Sequence, residues 1–257
     1  MNYIELNKFS ELHDGKNIFF CKTDYIMNEF KTISELKNDV ILITGNSDYP
    51  IDENLIMKIP SNVKKWYGQN VLTNDPRIIP IPIGLENKIE SYRLGHGIGY
   101  FDRVNEKENL LNRLNTTTPT KKIYANFNVN TNYQYRSIIK NMCIKIDHIT
   151  WEEPNLKISD FFDGILDYEC VVCPIGNGVD THRLWETLYS KRIPITIKSG
   201  DYGIYKLYEK FPIIVLNNVN ELMDYELILE KISKIKNTKY DENLLSYDYW
   251  SNIIKTT

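Results

Sequence analysis

The sequence predicts an α/β fold with two Rossmann-like lobes, each built on a parallel sheet, that face a central cleft. Short apolar segments alternate with amphipathic helical segments along the chain, and this alternation is typical of parallel sheets with right-handed crossovers. The length of 257 residues equals about 1.7 average domains. The threonine-rich segment 116–120 lies between the two runs of elements and is the best linker candidate.

Composition limits the class of protein. The chain is 42% hydrophobic and 25% charged, which is typical of a soluble globular protein and excludes a disordered or low-complexity chain. A net charge of −3 gives no support for a nucleic-acid partner. The chain lacks an apolar run of about 18 residues, and its first residues lack the pattern of a signal peptide. We therefore expect a cytoplasmic protein.

The first lobe is predicted to span residues 1–118. Its predicted strands are residues 17–21, 39–44, 63–67 and 78–83, and its predicted helices are residues 25–37, 52–58 and 105–114. Prolines interrupt the last of these strands, and proline cannot donate to a ladder. The segment 78–83 is therefore expected at an edge of the sheet, or leaving it.

The second lobe is predicted to span residues 119–257, and its last helix can cross back to the first lobe. The predicted strands are residues 122–125, 143–148, 169–173, 193–197 and 213–216. The predicted helices are residues 132–142, 157–163, 181–190, 202–209, 220–236 and 242–254.

Residues 171–186 concentrate the polar groups that can carry chemistry. A buried strand, a glycine-containing loop and a helix follow one another there, which is the usual ligand position of α/β sheets. Gly176 and Gly178 allow the backbone to approach a ligand or to adopt positive φ. Asp180 or Thr181 suits the N-cap of the helix.

The predicted helix 181–190 has two different faces. Leu184 and Leu188 share a face that is expected to pack on the sheet, whereas His182 and Glu186 share another face, with Arg183 beside them. An arginine fork can bind phosphate oxygens, and a glutamate can accept hydrogen bonds from both hydroxyls of a ribose. The pattern therefore suits a nucleoside diphosphate carrying a sugar. A helix cap with a solvated polar face explains the same residues.

Residues 173–194 resemble the donor-binding motif of exostosin-like glycosyltransferases. That motif is a proline-glycine loop, a helix with arginine and glutamate, and an apolar strand with proline. The matching positions are Pro174, Gly176, Gly178, Asp180, Arg183, Glu186 and Pro194. Residues 66–70 and 79–85 resemble the first lobe of small bacterial and viral members. Residues 124–128, followed by Arg136, resemble the start of their second lobe.

The resemblance implies a GT-B arrangement, in which the second lobe binds a nucleotide sugar and the first lobe binds the acceptor. It implies a hexosyl- or pentosyltransferase that requires no metal and no other cofactor. The chain is short for this fold, so its first lobe must be minimal. The expected acceptor is a glycan, or a hydroxylated DNA base if the source is a phage. The net charge of −3 gives no sign of the basic track that DNA needs.

Cations and backbone N–H groups aimed at the leaving nucleoside diphosphate stabilise the charge that it gains. Arg183, Arg136 and Lys198 are the candidate cations, although Arg136 equally suits a helix surface. The loop that leads into the helix supplies Asn177, Thr181 and His182, along with the glycines and Asp180. Tyr202 or Tyr205 is a candidate for stacking on the base, although a tyrosine at either position more often belongs to the core.

An inverting transfer also needs a general base near the acceptor hydroxyl. Asp48 and Glu86 each follow a predicted strand of the first lobe, and Asp180 is a third candidate. The sequence does not decide between them. A non-catalytic nucleotide- or glycan-binding module is the alternative function. A Rossmann methyltransferase or reductase is disfavoured because no G-x-G-x-x-G follows the first strand.

Overall fold

The computed structural model describes residues 1–87, 101–113, 118–154 and 157–257. Residues 116 and 117 of the predicted linker lie outside this part of the chain. None of the described helices is long and apolar enough to cross a membrane.

The first lobe contains a parallel four-stranded sheet in the order β1-β2-β3-β4. Its strands are β1 (Ile18–Lys22), β2 (Val40–Gly45), β3 (Val63–Gly68) and β4 (Ile78–Pro80). Its helices are α1 (Ile26–Ser34), α2 (Glu53–Ile56) and α3 (Phe101–Arg113), with 3₁₀ helices at Leu6–Leu12 and Thr23–Tyr25. The expected edge position of the proline-containing strand is confirmed, because β4 ends at Pro80 and pairs only with β3 among the described strands.

The second lobe contains a parallel five-stranded sheet in the order β6-β5-β7-β8-β9. The strands are β5 (Lys121–Ala125), β6 (Ile149–Trp151), β7 (Tyr168–Val172), β8 (Ile193–Ile197) and β9 (Ile214–Leu216). The helices are α4 (Tyr133–Cys143), α5 (Ile158–Leu166), α6 (His182–Tyr189), α7 (Ile204–Tyr208), α8 (Tyr225–Lys236) and α9 (Tyr247–Thr256). Shorter 3₁₀ helices span Val129–Asn132, Val219–Met223 and Glu242–Leu245. The predicted α/β fold with two Rossmann-like lobes is confirmed.

One predicted strand, at residues 143–148, is wrong. Helix α4 continues to Cys143, and the strand β6 begins only at Ile149. Ile139 and Cys143 are both buried and lie four residues apart, so they share one helical face. The alternation of apolar and polar residues after Cys143 imitates a strand, but the helical period prevails up to that residue.

One apolar cluster spans both lobes, beside a separate cluster within each lobe. Leu184, Leu188 and Trp185 of α6 belong to the same buried cluster as Ile43 of β2 and Tyr67 of β3. The expected packing of Leu184 and Leu188 inside the protein is therefore confirmed. Because α6 packs against residues of both sheets, the polar residues at its beginning are held between the lobes.

The C-terminal helix α9 lies against the N-terminal part of the chain. The Tyr247 ring packs 5.0 Å from the Phe9 ring, and the Tyr247 hydroxyl donates to the Lys8 carbonyl. The backbone of Tyr3 forms an antiparallel bridge with Ser246. These contacts tie the two chain ends together, while the division of the chain at residue 118 stays a prediction.

Candidate functional site

The carboxyl edges of the two sheets meet at the loop between β7 and α6. Asn70, which follows β3, accepts a hydrogen bond from the Asp180 backbone N–H at 3.0 Å. The Asn70 side chain also donates to the Ser47 carbonyl at 2.9 Å. Two parallel sheets that meet in this way form the GT-B-like arrangement that the sequence predicts. This junction is the topological position at which α/β proteins bind ligands.

The carboxylate of Asp180 links the two lobes through hydrogen bonds. Its buried carboxylate accepts hydrogen bonds from the Ile83 N–H of the first lobe at 2.9 Å and from the Trp185 indole at 2.8 Å. The Tyr208 hydroxyl and the Thr181 N–H also donate to it, at 2.8 and 3.1 Å. Burial raises the pKa of Asp180 to about 6, against the lowering effect of these donors. The contacts of this carboxylate are therefore structural ones, and its suggested roles in donor binding and as a base stay predictions.

The two glycines of the loop are explained by close packing. Neither lies among the described glycines with positive φ, so that alternative is wrong. A Cβ added to Gly178 would lie 2.5 Å from the Asn70 amide, and one added to Gly176 would lie 3.3 Å from Arg136 Nη2. Thr181 occupies the N-cap position of α6, but its side chain makes no cap hydrogen bond.

Arg136 is a buried cation whose hydrogen bonds hold the loop between β7 and α6. Its guanidinium donates to the carbonyls of Ile175, Asn128 and Pro174 at 2.7, 2.8 and 3.1 Å. Within the described part of the chain, no carboxylate forms an ion pair with it. Burial and the neighbouring charge of Arg183 lower the pKa of Arg136 to about 10. The suggested helix-surface position is therefore wrong, because the side chain is buried.

Arg183 lies half-buried in the first turn of α6. Its guanidinium carbon sits 3.8 Å from the centroid of the Phe161 ring. Nη1 donates to the Asn126 carbonyl at 2.5 Å, and Nε contacts Glu186 Oε2 at 3.2 Å. The aromatic ring and the carbonyl hold the guanidinium plane in place, which favours binding of a planar anionic group.

Glu186 belongs to a buried charge network that spans both lobes. Lys107 Nζ of α3 lies 2.6 Å from Glu186 Oε1 and 2.5 Å from Glu86 Oε2. The side chains of Lys107 and Glu186 are only 12% and 5% exposed. Sequence analysis missed Lys107, which is 79 residues from Glu186 and has no motif around it.

The network fixes the charge states of its members. Burial alone would raise the pKa of Glu186, but Lys107 and Arg183 outweigh it and lower that pKa to about 2. Burial would lower the pKa of Lys107, and the carboxylates Glu186 and Glu86 raise it instead. Glu186 and Lys107 are therefore both charged at neutral pH.

Asp48 and Asn177 connect the two lobes at the exposed end of the junction. Asn177 Nδ2 donates to Asp48 Oδ2 at 3.2 Å, so one candidate base lies beside the predicted donor loop. Nearby, His182 Nδ1 lies 2.9 Å from the Gly84 carbonyl, and Gly84 has a φ of +67°. His182 thus meets the turn that also carries the rival base Glu86.

Lys198 follows β8 at the same edge of the second sheet. Its ammonium lies 5.5 Å from the centroid of the Tyr205 ring, which stacks on the Tyr202 ring. Tyr205 is buried, so its ring belongs to the core, while Tyr202 is half-buried. The edge position of Lys198 agrees with a cleft residue, and its role in donor binding stays a prediction.

Among the described residues, neither the cysteines nor any group of metal-binding side chains indicates a further reactive site. Cys170 and Cys173 are both buried free thiols, and burial raises the pKa of Cys173 to about 12. Neither thiol is therefore a nucleophile at neutral pH. Among the described residues, no group of three or more His, Cys, Asp or Glu side chains is placed to hold a metal ion.

Comparisons with known proteins add little to this geometry. No protein-family model and no curated protein matches the chain, so the resemblance to exostosin-like glycosyltransferases stays a prediction. Among solved structures, the chain is similar to a crystal structure of an α1,3-fucosyltransferase with GDP-fucose. The two are 13% identical over 93% of this chain and 81% of that chain, with a TM-score of 0.34. A similarity of this size supports no conclusion about donor or acceptor.

Proposed function

We propose that this protein is a nucleotide-sugar-dependent glycosyltransferase of the exostosin-like type, which transfers one hexosyl or pentosyl group to a hydroxyl acceptor. The observation that carries the proposal is the convergence of Arg136 and Arg183 beside the 174–181 loop. The two guanidinium groups are close enough for one to lower the pKa of the other. Two neighbouring cations at a strand-to-helix junction favour an anion such as a diphosphate.

Glu186 is proposed to bind the ribose of the donor. It lies one turn further along α6 than Arg183 and forms an ion pair with it. A carboxylate has the acceptor capacity for a pair of vicinal hydroxyls. With Arg183 on a phosphate, Glu186 would then sit at the distance of the adjoining sugar. The loop residues Asn177 and Thr181 complete this donor site in the proposal.

The proposed reaction breaks the bond between the sugar and the β-phosphate oxygen of the donor. Negative charge grows on that oxygen, and fixed cations placed in advance stabilise it without reorganisation. Four hydrogen bonds to carbonyls and one to Glu186 hold Arg136 and Arg183. The Phe161 ring also packs on the Arg183 guanidinium. Because protein cations supply the positive charge, we propose turnover without an added metal.

Asp48 is the proposed general base, with Glu86 as its rival. Asp48 is exposed and contacts Asn177 of the donor loop, whereas Glu86 is paired with Lys107. A base must have an oxygen available for the acceptor proton, and this condition favours Asp48. Asp48→Asn should then reduce transfer far more than Glu86→Gln in initial-rate assays. The reverse order would assign the base to Glu86.

The acceptor is proposed to be a glycan rather than a hydroxylated DNA base. At the carboxyl edge of the first sheet, the side chains of Asn46, Gln69 and Asn70 are buried amides. Neutral amides suit sugar hydroxyls, whereas DNA binding needs cations for its phosphates. The bacterial or viral origin and the cytoplasmic location remain expectations from the sequence.

The test is release of a nucleoside diphosphate from a panel of nucleotide sugars, with EDTA and then with Mn²⁺. Release from one donor, accelerated by a hydroxyl acceptor and insensitive to EDTA, would support the proposal. Arg77→Ala is the matched control for Arg183→Ala, because Arg77 forms a half-exposed ion pair with Asp75 away from the junction. Tight donor binding without hydrolysis or transfer would favour the non-catalytic binding module. The observation that favours this second candidate function is the pairing of Lys107 with both Glu86 and Glu186, because ion pairs already occupy these carboxylates.

A further inference from the structure

We propose that Lys107 is a displaceable counter-ion of Glu186, which donor binding must release, so that helix α3 is coupled to the occupancy of the donor site. The inference rests on the proposed function, because it takes Glu186 as the carboxylate that binds the ribose.

Both carboxylate oxygens of Glu186 contact a cation. Lys107 Nζ contacts Oε1 at 2.6 Å, and Arg183 Nε contacts Oε2 at 3.2 Å. A ribose that donates its vicinal hydroxyls to this carboxylate needs the space that the Lys107 ammonium holds at Oε1. Arg183 lies on the same helix, packed on Phe161, whereas Lys107 comes from a separate element. Lys107 is therefore the partner that can leave.

Lys107 has an alternative partner. Its ammonium also contacts Glu86 at 2.5 Å, so release from Glu186 does not leave the cation unpaired. Burying an unpaired charge costs several kcal/mol, and Glu86 removes this cost. The ribose hydroxyls replace the ammonium at Glu186, and Arg183 continues to balance its charge.

The exchange involves both lobes. Glu86 follows β4 of the first lobe, Glu186 lies in α6 of the second, and Lys107 lies in α3. Breaking one of the two ion pairs loosens the link that α3 makes between the lobes. Donor binding therefore changes the ion-pair network of Glu86, which lies at the edge of the proposed acceptor site.

Affinity measurements test the exchange directly. ADP, GDP, UDP and CDP are titrated by calorimetry, and the tightest is compared with its 2′-deoxy counterpart. Lys107→Met should bind the ribonucleotide about tenfold tighter than the native protein, equivalent to about 1.4 kcal/mol. Affinity for the 2′-deoxy form, which lacks one of the two hydroxyls, should change much less. Lys64→Met is the matched control, because Lys64 forms an exposed ion pair with Asp39.

A second variant guards against charge imbalance or poor folding of Lys107→Met. The double variant Lys107→Met with Glu86→Gln removes one positive and one negative charge, so the net charge of the cluster is unchanged. It should show the same gain in affinity, while Glu86→Gln alone should not. Hydrogen exchange on the native protein adds a readout without mutation: amides of residues 106–112 should lose protection when the nucleotide binds.

Each other outcome overturns the inference in a distinguishable way. If the native protein binds a nucleotide but Lys107→Met binds it equally well, Lys107 does not compete, and the proposed function still stands. If Lys107→Met binds it more weakly, or if residues 106–112 gain protection or keep it unchanged, Lys107 is a direct ligand or a fixed strut. If no nucleotide binds to either protein, the proposed function fails and the exchange fails with it.

Discussion

The carboxyl edges of the two sheets differ in charge. The first edge carries buried amides that bind one another and the backbone: Gln69 accepts from the Asn46 N–H at 2.7 Å and donates to the Ser47 carbonyl at 2.8 Å. The second edge carries Arg136 and Arg183, whose guanidinium groups donate mainly to carbonyls. Both edges occupy the same place in their lobes, at the ends of parallel strands.

The difference shows that fold position and side-chain chemistry are separate sources of function. Either edge has the geometry of a ligand site, but among the described residues the second edge alone gathers cations beside a helix N-terminus. Carbonyl partners orient an arginine without neutralising it, so Arg136 keeps its charge for a ligand. The amide network of the first edge is neutral, which suits a hydroxyl-bearing acceptor or a purely structural role.

The largest expected effect comes from breaking the cationic edge. Arg183→Ala removes a fixed cation from the proposed leaving group and should lower kcat by about 100-fold or more. Donor affinity should fall less than turnover, because the interaction strengthens as charge develops. Initial rates and calorimetric titration measure the two quantities. A loss in affinity with unchanged kcat would mean that Arg183 binds donor and transition state equally.

The next effect concerns the contact between the edges. Gly178→Ala places a Cβ 2.5 Å from the Asn70 amide and should lower the free energy of unfolding by about 1–3 kcal/mol. Gly164→Ala in α5 is the matched control, because its Cβ would meet its nearest described neighbour at 4.0 Å. That variant should be neutral or stabilised, since alanine favours a helix. Urea unfolding measures the free energy of unfolding of both variants. Equal values for Gly178→Ala and Gly164→Ala would show that the lobes can move apart at this contact without loss of stability.

A smaller effect is expected from the amide network of the first edge. Gln69→Ala removes the acceptor of the Asn46 N–H and the donor to the Ser47 carbonyl, and it should lower the free energy of unfolding by about 1–2 kcal/mol. The affinity for nucleoside diphosphate should stay within about twofold of the native value, about 0.4 kcal/mol. Unfolding and titration on the same preparation test both statements. A large loss of nucleotide affinity would place the donor at the first edge and reverse the comparison.

The smallest effect is a pH dependence of stability. Burial raises the pKa of Asp180 from 3.8 to about 6, so the folded protein binds a proton between these values that the unfolded chain does not. The Asp180 contribution to stability therefore falls as pH rises from about 4 to 6 and is constant above. Relative to Asp180→Asn, the native protein should lose stability across this window in urea unfolding. Parallel profiles would show that Asp180 is ionised throughout.

Glu186 should behave in the opposite way at lower pH. Its pKa is lowered to about 2 by Lys107 and Arg183, against the effect of burial. Its contribution is present above its ordinary pKa of 4.5 and is lost as pH falls from 4.5 towards 2. The two windows barely overlap, so one pH series on the native protein, Asp180→Asn and Glu186→Gln separates the two groups.

The sequence predicts the parallel sheets well because strand and helix periods are local signals. It also locates the loop and helix that carry Arg183 and Glu186, since their spacing along one helix is local too. Lys107 was not predicted, because its position between Glu86 and Glu186 depends on how α3 packs on both lobes. The sequence also does not predict that Asp180 links the two lobes, because its partner Ile83 is 97 residues away along the chain.

The measurement that tests the central claim most directly is a thermal-shift series with nucleoside mono- and diphosphates, in EDTA and then with Mn²⁺. We predict that one nucleoside diphosphate stabilises the native protein in EDTA. At about 100 times its dissociation constant it should add about 2.7 kcal/mol. Arg183→Ala should reduce this shift, and Arg77→Ala should not. The absence of a shift with any nucleotide, or a shift that Arg183→Ala leaves unchanged, would contradict the account.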